Sequence, residues 1–164
     1  VGRLLSLAGP EAVTEPLCRA IRSADADGAC QLLRFYESAS MNEVDSLVAE
    51  LLVTRKEPAL LAAALKAMRG HLPVRIVERL AQHDAWFVRM QAANTLGRFG
   101  RREDYQILEP LLSDTEWWVR YRAAQAITRL PFLGPHALRK LRDRQGDRFA
   151  RDILFQAMAE VGLA

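Results

Sequence analysis

Long apolar runs are missing from this chain. The longest, Ala59 to Leu65, falls far short of the roughly 20 residues a helix needs to cross a bilayer. No signal peptide precedes Leu4, so these residues are expected to be soluble as they stand. Cysteine is nearly absent: Cys18 and Cys30 are the only two and form no CxxC pair, which supports neither a disulfide framework nor a zinc site. They read as small buried side chains in a reducing compartment. The three histidines, His71, His83 and His136, fall in or beside connections and have neither each other nor a cysteine at metal-ligand spacing. Each is expected to be a solvent-exposed turn residue. The sequence also lacks a GxxxxGK phosphate loop, a GxSxG elbow and an HExxH helix, so no catalytic residue, metal or cofactor is expected.

What remains is the composition of an ordinary soluble domain, 164 residues that are 50% hydrophobic and 26% charged, enough to bury a sizeable core in one folded unit. The net charge is +3, and it is unevenly spread. Residues 1–97 hold 11 basic and 11 acidic side chains, whereas residues 98–164 hold 12 basic and 9 acidic. Arginine supplies nearly all of it, 20 residues against 3 lysines. A GC-rich genome is the simpler explanation of that bias; the alternative is an anionic partner, since arginine makes bidentate contacts with carboxylates and phosphates. The chain opens on Val1 rather than Met, which leads us to expect a piece of a longer protein, with a membrane anchor or another domain upstream.

Self-similarity organises the chain. The segments Trp86-Phe87-Val88-Arg89-Met90-Gln91-Ala92-Ala93-Asn94-Thr95-Leu96, Trp117-Trp118-Val119-Arg120-Tyr121-Arg122-Ala123-Ala124-Gln125-Ala126-Ile127 and Arg148-Phe149-Ala150-Arg151-Asp152-Ile153-Leu154-Phe155-Gln156-Ala157-Met158 align at an offset of 31 residues, from 88 to 119 to 150. A weaker copy lies one period earlier, at Ala62, Leu65 and Met68. Within a copy, Val119, Ala123, Ile127 and Leu130 recur at steps of three and four, one apolar stripe of a helix. A shorter apolar segment precedes each: Val74 to Leu80, Ile107 to Leu112 and Ala137 to Leu141. Each repeat is thus a helix hairpin.

Asp84, Asp114 and Asp147 stand before the longer helices, where a carboxylate accepts from the free N–H groups of a first turn. Gly70, Gly100 and Gly134 fall in connections, while Pro10, Pro58, Pro73 and Pro135 sit where helices start. The pattern predicts ten helices, over 10–22, 25–38, 41–54, 57–69, 73–82, 85–99, 103–113, 115–130, 135–144 and 147–162, in a single domain spanning 1–164.

The run Asp114…Val119-Arg120-Tyr121-Arg122-Ala123-Ala124 resembles the second helix of a HEAT repeat, and the short period is similar to the bacterial HEAT-like repeats of phycobilisome lyases. The resemblance is clearest over 73–161 and weaker over 10–70. It implies an all-α fold, a right-handed α-solenoid of about five helix hairpins. One hairpin cannot bury its apolar faces alone, so neighbours stack, and small residues such as Ala92-Ala93 and Ala123-Ala124 let consecutive helices approach closely. By resemblance, Arg89, Arg120 and Arg151 pair with Asp84, Asp114 and Asp147 of their own or the neighbouring repeat.

Residues that stacking does not require are the candidates for function. Asn94, Gln125 and Gln156 recur at the 31-residue offset on the polar side of the longer helices, beside Gln91, Tyr121 and Arg122, on the surface that lines the concave side of such a solenoid. The plainer reading is a solvated face. The rings Trp86, Phe87, Trp117, Trp118 and Phe149 cluster at the starts of these helices, and tryptophan is a favoured binding anchor; the alternative is that one ring per repeat fills the core. Trp117 and Trp118 resist that alternative, because neighbours on a helix point about 100° apart. Arg139 to Arg144, with Arg148 and Arg151, is a basic segment diluted by Asp143, Asp147 and Asp152.

The expected function is a non-catalytic scaffold or adaptor that binds another protein through Asn94, Trp117, Trp118, Tyr121, Arg122, Gln125 and Gln156. Its expected setting is the bacterial cytoplasm, with any membrane tether lying outside this sequence. The alternative is a nucleic-acid binder, or a DNA glycosylase built from HEAT-like repeats, with Trp117, Trp118, Arg122 and Asp114 or Asp152 in the functional parts. A chromophore lyase subunit rests on the repeat type alone.

Overall fold

Apolar residues at helical spacing, interrupted by proline and glycine, produce short helices joined by tight connections. The computed structural model describes residues 10–34, 41–70 and 72–163. Among the described residues it holds ten helices and no strand: α1 (Pro10–Ser23), α2 (Ala26–Arg34), α3 (Met41–Thr54), α4 (Pro58–Ala67), α5 (Val74–Ala81), α6 (Trp86–Phe99), α7 (Asp104–Leu111), α8 (Trp117–Thr128), α9 (Pro135–Arg144) and α10 (Arg148–Glu160). Every expected boundary lies within two residues of these, except the end of the second helix, where 35–38 lie outside the described residues, as does His71. Pro10, Pro58 and Pro135 open their helices and Pro73 is the residue before α5. Gly100 ends α6 in the left-handed region (φ 66°), its N–H bonding the Leu96 carbonyl at 3.0 Å, a conformation that glycine adopts without steric cost. None of the described helices is long and apolar enough to cross a membrane.

The fold is an α-solenoid of HEAT-like hairpins, and the helices group into two compact units that meet in sequence at Leu72 and Pro73. In the first unit, α1 packs on α2 and α3, and α4 packs on α2 and α3. Ile21, Ala29, Leu47, Val48, Leu52, Leu60 and Leu65 are wholly buried there. Asp45 ties the end of that unit to α3 by accepting from the Arg69 backbone N–H at 3.0 Å. Cys18 and Cys30 are not bridged.

In the second unit, α8 lies between α6 and α10, and the shorter α5 and α7 pack on each other and on α6 and α8. The repeated inward positions, Val88/Val119/Ala150, Ala92/Ala123/Leu154 and Leu96/Ile127/Met158, are wholly buried. Fully burying a valine or leucine side chain stabilises the fold by about 1.5–3 kcal/mol, so these positions carry the stack. The second alanine of each pair, Ala93 and Ala124, is wholly buried as well, but in the third copy Phe155 takes that place and is 50% exposed. Helices α6 and α8 come closest at Gly97: a Cβ there would lie 2.6 Å from the Ala126 Cβ and 2.7 Å from its Cα.

The arginine of each repeat acts differently from the resemblance. All three bind backbone carbonyls five and six residues upstream: Arg89 Nη1 those of His83 (2.8 Å) and Asp84 (2.9 Å), Arg120 Nη1 those of Asp114 (2.7 Å) and Thr115 (3.0 Å), Arg151 Nη1 those of Gln145 (2.8 Å) and Gly146 (3.4 Å). Only Arg89 adds an aspartate, gripping Asp114 of the next repeat in a bidentate pair of 2.7 and 2.8 Å. The expected pairing of Arg120 and Arg151 with aspartates is therefore corrected. Counting 25 residues on from Arg120, as Asp114 lies from Arg89, leads to Gln145, which carries no charge.

The helix starts follow the same register. Asp147 caps α10, accepting from the Phe149 N–H at 3.0 Å. Asp114 accepts from the Glu116 N–H at 2.9 Å, just ahead of α8. Asp84 is exposed and makes no such bond; His83, which stands 31 residues before Asp114, accepts from the Ala85 N–H through Nδ1 at 3.0 Å. Half-buried His83 is thus a turn-forming group, which corrects the expectation of a purely solvated side chain.

Candidate functional site

Val119, Ala123, Ala124, Ala126 and Ile127 take every inward position of α8. The outward side is left to Trp117, Trp118, Tyr121, Arg122 and Gln125. Trp117 and Trp118 are 42% and 49% exposed, so neither fills the core. Trp117 stacks on Tyr121, one helical turn on, at 5.0 Å between ring centroids and 13° between planes. Trp118 meets Trp117 edge-on at 4.7 Å and Tyr121 edge-on at 6.5 Å. Three rings therefore make one cluster, each contact within the 4.5–7 Å range in which aromatic pairs attract. At the start of α6, by contrast, Trp86 is exposed and Phe87 half-buried, and the two touch edge-on at 5.8 Å.

A carboxylate from α10 completes the cluster. The Tyr121 hydroxyl donates to Glu160 at 2.9 and 3.0 Å from the two oxygens. Gln125 donates from Nε2 to Glu160 Oε2 at 3.1 Å and to the Tyr121 hydroxyl oxygen at 2.8 Å. Gln156, one turn before Glu160 on α10, donates to Oε1 at 3.2 Å. Arg122 supports the set, donating from Nη1 to the Gln125 side-chain oxygen Oε1 at 2.9 Å, with its guanidinium 5.9 Å from the Tyr121 ring centre. The bonds from Gln125 and Tyr121 hold the Glu160 carboxyl below the usual glutamate range. Conversely, the bond to Glu160 raises the Tyr121 hydroxyl above the ordinary phenol value. At neutral pH the pair is a carboxylate and a neutral phenol.

Of the sequence-predicted residues, Trp117, Trp118, Tyr121, Arg122, Gln125 and Gln156 come together here. Asn94 is half-buried on α6 and takes no part in this network. Glu160, on which the network converges, was not among the predicted residues. Its spacing of four from Gln156 on one helix was the available signal, because that spacing continues the polar row by one turn.

Four of the six basic side chains of the segment meet partners, while Arg139 and Lys140 are exposed. Arg142 pairs with Asp143 at 2.7 Å, Arg144 with Glu109 at 2.7 Å and Arg148 with Asp152 at 3.5 Å, while Arg151 is held by carbonyls. Burial, then the neighbouring Glu109, push the Tyr105 phenol beside Arg144 up to about 12. Among the described residues no three His, Cys, Asp or Glu side chains converge as metal ligands.

Hairpins whose buried residues recur at a fixed period, with a polar and aromatic surface left outside, define a helical-repeat protein. The family model for HEAT repeats matches residues 44–128, more than half of the 164-residue chain, and the chain belongs to that family. HEAT repeats build helical scaffolds that commonly serve protein interaction. A search of curated proteins finds no match.

Proposed function

We propose that this chain is a non-catalytic, cytoplasmic scaffold that holds a partner protein against the outward surface of α8 and its neighbour Glu160. The observation that carries the reading is the cluster of Trp117, Trp118 and Tyr121. These are large rings at a position where the repeat's core is already filled; Tyr121 is tied to α10 through Glu160 and the two tryptophans rest on it and on each other. Rigid aromatic residues at the centre of a polar rim are what binding hot spots are made of. Against the glycosylase alternative, Asp114 is only 8% exposed and locked to Arg89.

A nucleic-acid reading draws on the same rings, since bases stack on tryptophan and tyrosine. Against it, Arg101, Arg120, Arg142, Arg144, Arg148 and Arg151 are engaged by carboxylates or carbonyls of the chain itself, and a carboxylate stands inside the cluster. Phosphate neutralisation would make affinity fall steeply with salt, so titration of single-stranded DNA at low salt decides between the two readings.

The test of the scaffold is affinity capture with the whole chain, compared with Trp118→Ala and Arg122→Ala. Loss of the captured partner in both variants is the expected result. Unchanged capture by both would remove this surface from consideration.

A further inference from the structure

We infer that the α8–α10 surface receives a cationic side chain, an arginine or lysine carried by an extended basic segment of the partner protein, with its stem against Trp117 and Trp118 and its charge at Glu160. The inference rests on the scaffold reading above and names the chemistry of its partner.

A carboxylate offers about four acceptor positions. At Glu160 three donors meet them: the Tyr121 hydroxyl shares its proton between the two oxygens, Gln125 Nε2 donates to Oε2 and Gln156 Nε2 to Oε1. All three donors are neutral, so they orient the carboxylate without cancelling its charge, and no cation pairs with it among the described residues. Arg129 acts on it only at longer range, and Arg122 spends its hydrogen bond on Gln125. Glu160 is exposed and holds an ordered, uncompensated negative charge beside aromatic rings.

A cation is attracted to the face of an aromatic ring, tryptophan most of all, and the methylene stems of arginine and lysine cover apolar surface while the head stays polar. Trp117 and Trp118 supply that surface. Tyr121 joins the two halves, with its ring on Trp117 and its hydroxyl on Glu160. A phosphate backbone would meet the Glu160 charge as a repulsion, which is why the occupant is a basic peptide rather than a nucleic acid.

The probes are two fluorescein-labelled octapeptides, one alternating arginine with alanine and one alternating glutamate with alanine, titrated into the whole chain. Indole N–H resonances are followed in parallel. The chain carries a net charge of +3, so indiscriminate electrostatics favour the acidic peptide. The expected result is the reverse: the basic peptide binds more tightly and shifts the Trp117 and Trp118 indole signals. Glu160→Gln, at an exposed position outside the core, is expected to weaken the basic peptide about fivefold, and Trp118→Ala about tenfold. Tighter binding of the acidic peptide, tighter binding of an eight-nucleotide single strand, or no effect of Glu160→Gln would each overturn the inference. If Trp118→Ala abolishes partner capture while Glu160→Gln preserves both capture and peptide affinity, the scaffold reading stands and the cation falls. If Trp118→Ala and Arg122→Ala both leave capture intact, the surface itself falls.

Discussion

Two junctions built from the same repeat hold the second unit together, and they are not equal. Between α6 and α8, Gly97 lets the helices approach to backbone contact, and Arg89 clasps Asp114 across the junction. Between α8 and α10, one repeat on, Thr128 replaces the glycine and bonds its own helix, donating to the Gln125 carbonyl at 3.0 Å. Gln145 replaces the aspartate, and the Arg120 Nε is left buried without a hydrogen-bond partner, with Phe149 5.6 Å from its guanidinium carbon. Packing between α6 and α8 is correspondingly the more extensive of the two. A repeat period fixes which residues face inward, but the strength of each interface depends on one or two positions that the period does not constrain. The candidate binding surface lies on the weaker junction, where Tyr121 and Gln125 of α8 reach Glu160 of α10.

Asp114→Ala attacks the stronger junction most severely. Its carboxylate is 8% exposed and its partner Arg89 14%, so deletion strands a largely buried guanidinium. Breaking a buried pair from one side costs about 3 kcal/mol, and thermal unfolding should register the loss. Acid should probe the same bond. Burial alone would raise the Asp114 carboxyl, but the bonds from Arg89 and the Glu116 N–H outweigh it and hold it below the usual range. A depressed carboxyl contributes stability that is complete above its unfolded value of about 3.9 and is lost as pH falls toward the folded value. Asp114→Asn should flatten that acid limb, and an unchanged limb would show that the clasp is not ionic.

Gly97→Ala should come next. Helix propensity favours alanine by about 1 kcal/mol, but the new methyl would meet Ala126 backbone, which cannot give way. A net loss of about 2 kcal/mol is expected. Thermal melts that show a gain instead would mean that the α6/α8 spacing is looser than in this structure.

The smallest effect, and the one that would erase the difference between the junctions, is Gln145→Asp. It restores, at the position 31 residues on from Asp114, the carboxylate that Arg89 finds at the first junction. A gain of about 1 kcal/mol is expected, with slower hydrogen exchange in α9 and α10. Exchange no slower than in the parent chain would show that repeat equivalence does not carry the geometry across.

Much of the fold was legible because burial is periodic. Val119, Ala123 and Ile127 announce an inward stripe whatever the partner, and Gly100 and Pro135 mark ends that obey local backbone rules. The capping residues were only partly legible. Asp147 lies where the rule puts it, but at the first copy the histidine next to Asp84 does the work, because the turn is set by register with the following helix. Of the site, the helix angle alone showed that Trp117 and Trp118 do not both face inward; that both lie outside is seen only in the structure. Glu160 was legible only as a polar residue one turn beyond Gln156; its meeting with Tyr121, 39 residues away, is not written in the spacing of α8.

The sequence by itself therefore determined the helices, their hairpin pairing and the positions that must be buried, because hydrophobic burial and backbone sterics act locally and repeat every 31 residues. The tertiary structure alone decided which arginine finds an aspartate, where two helices touch through a glycine, and that three neutral donors gather on one carboxylate. Those outcomes depend on side chains from separate helices converging to within about 3 Å, the hydrogen-bond range, and a linear period carries no information at that scale.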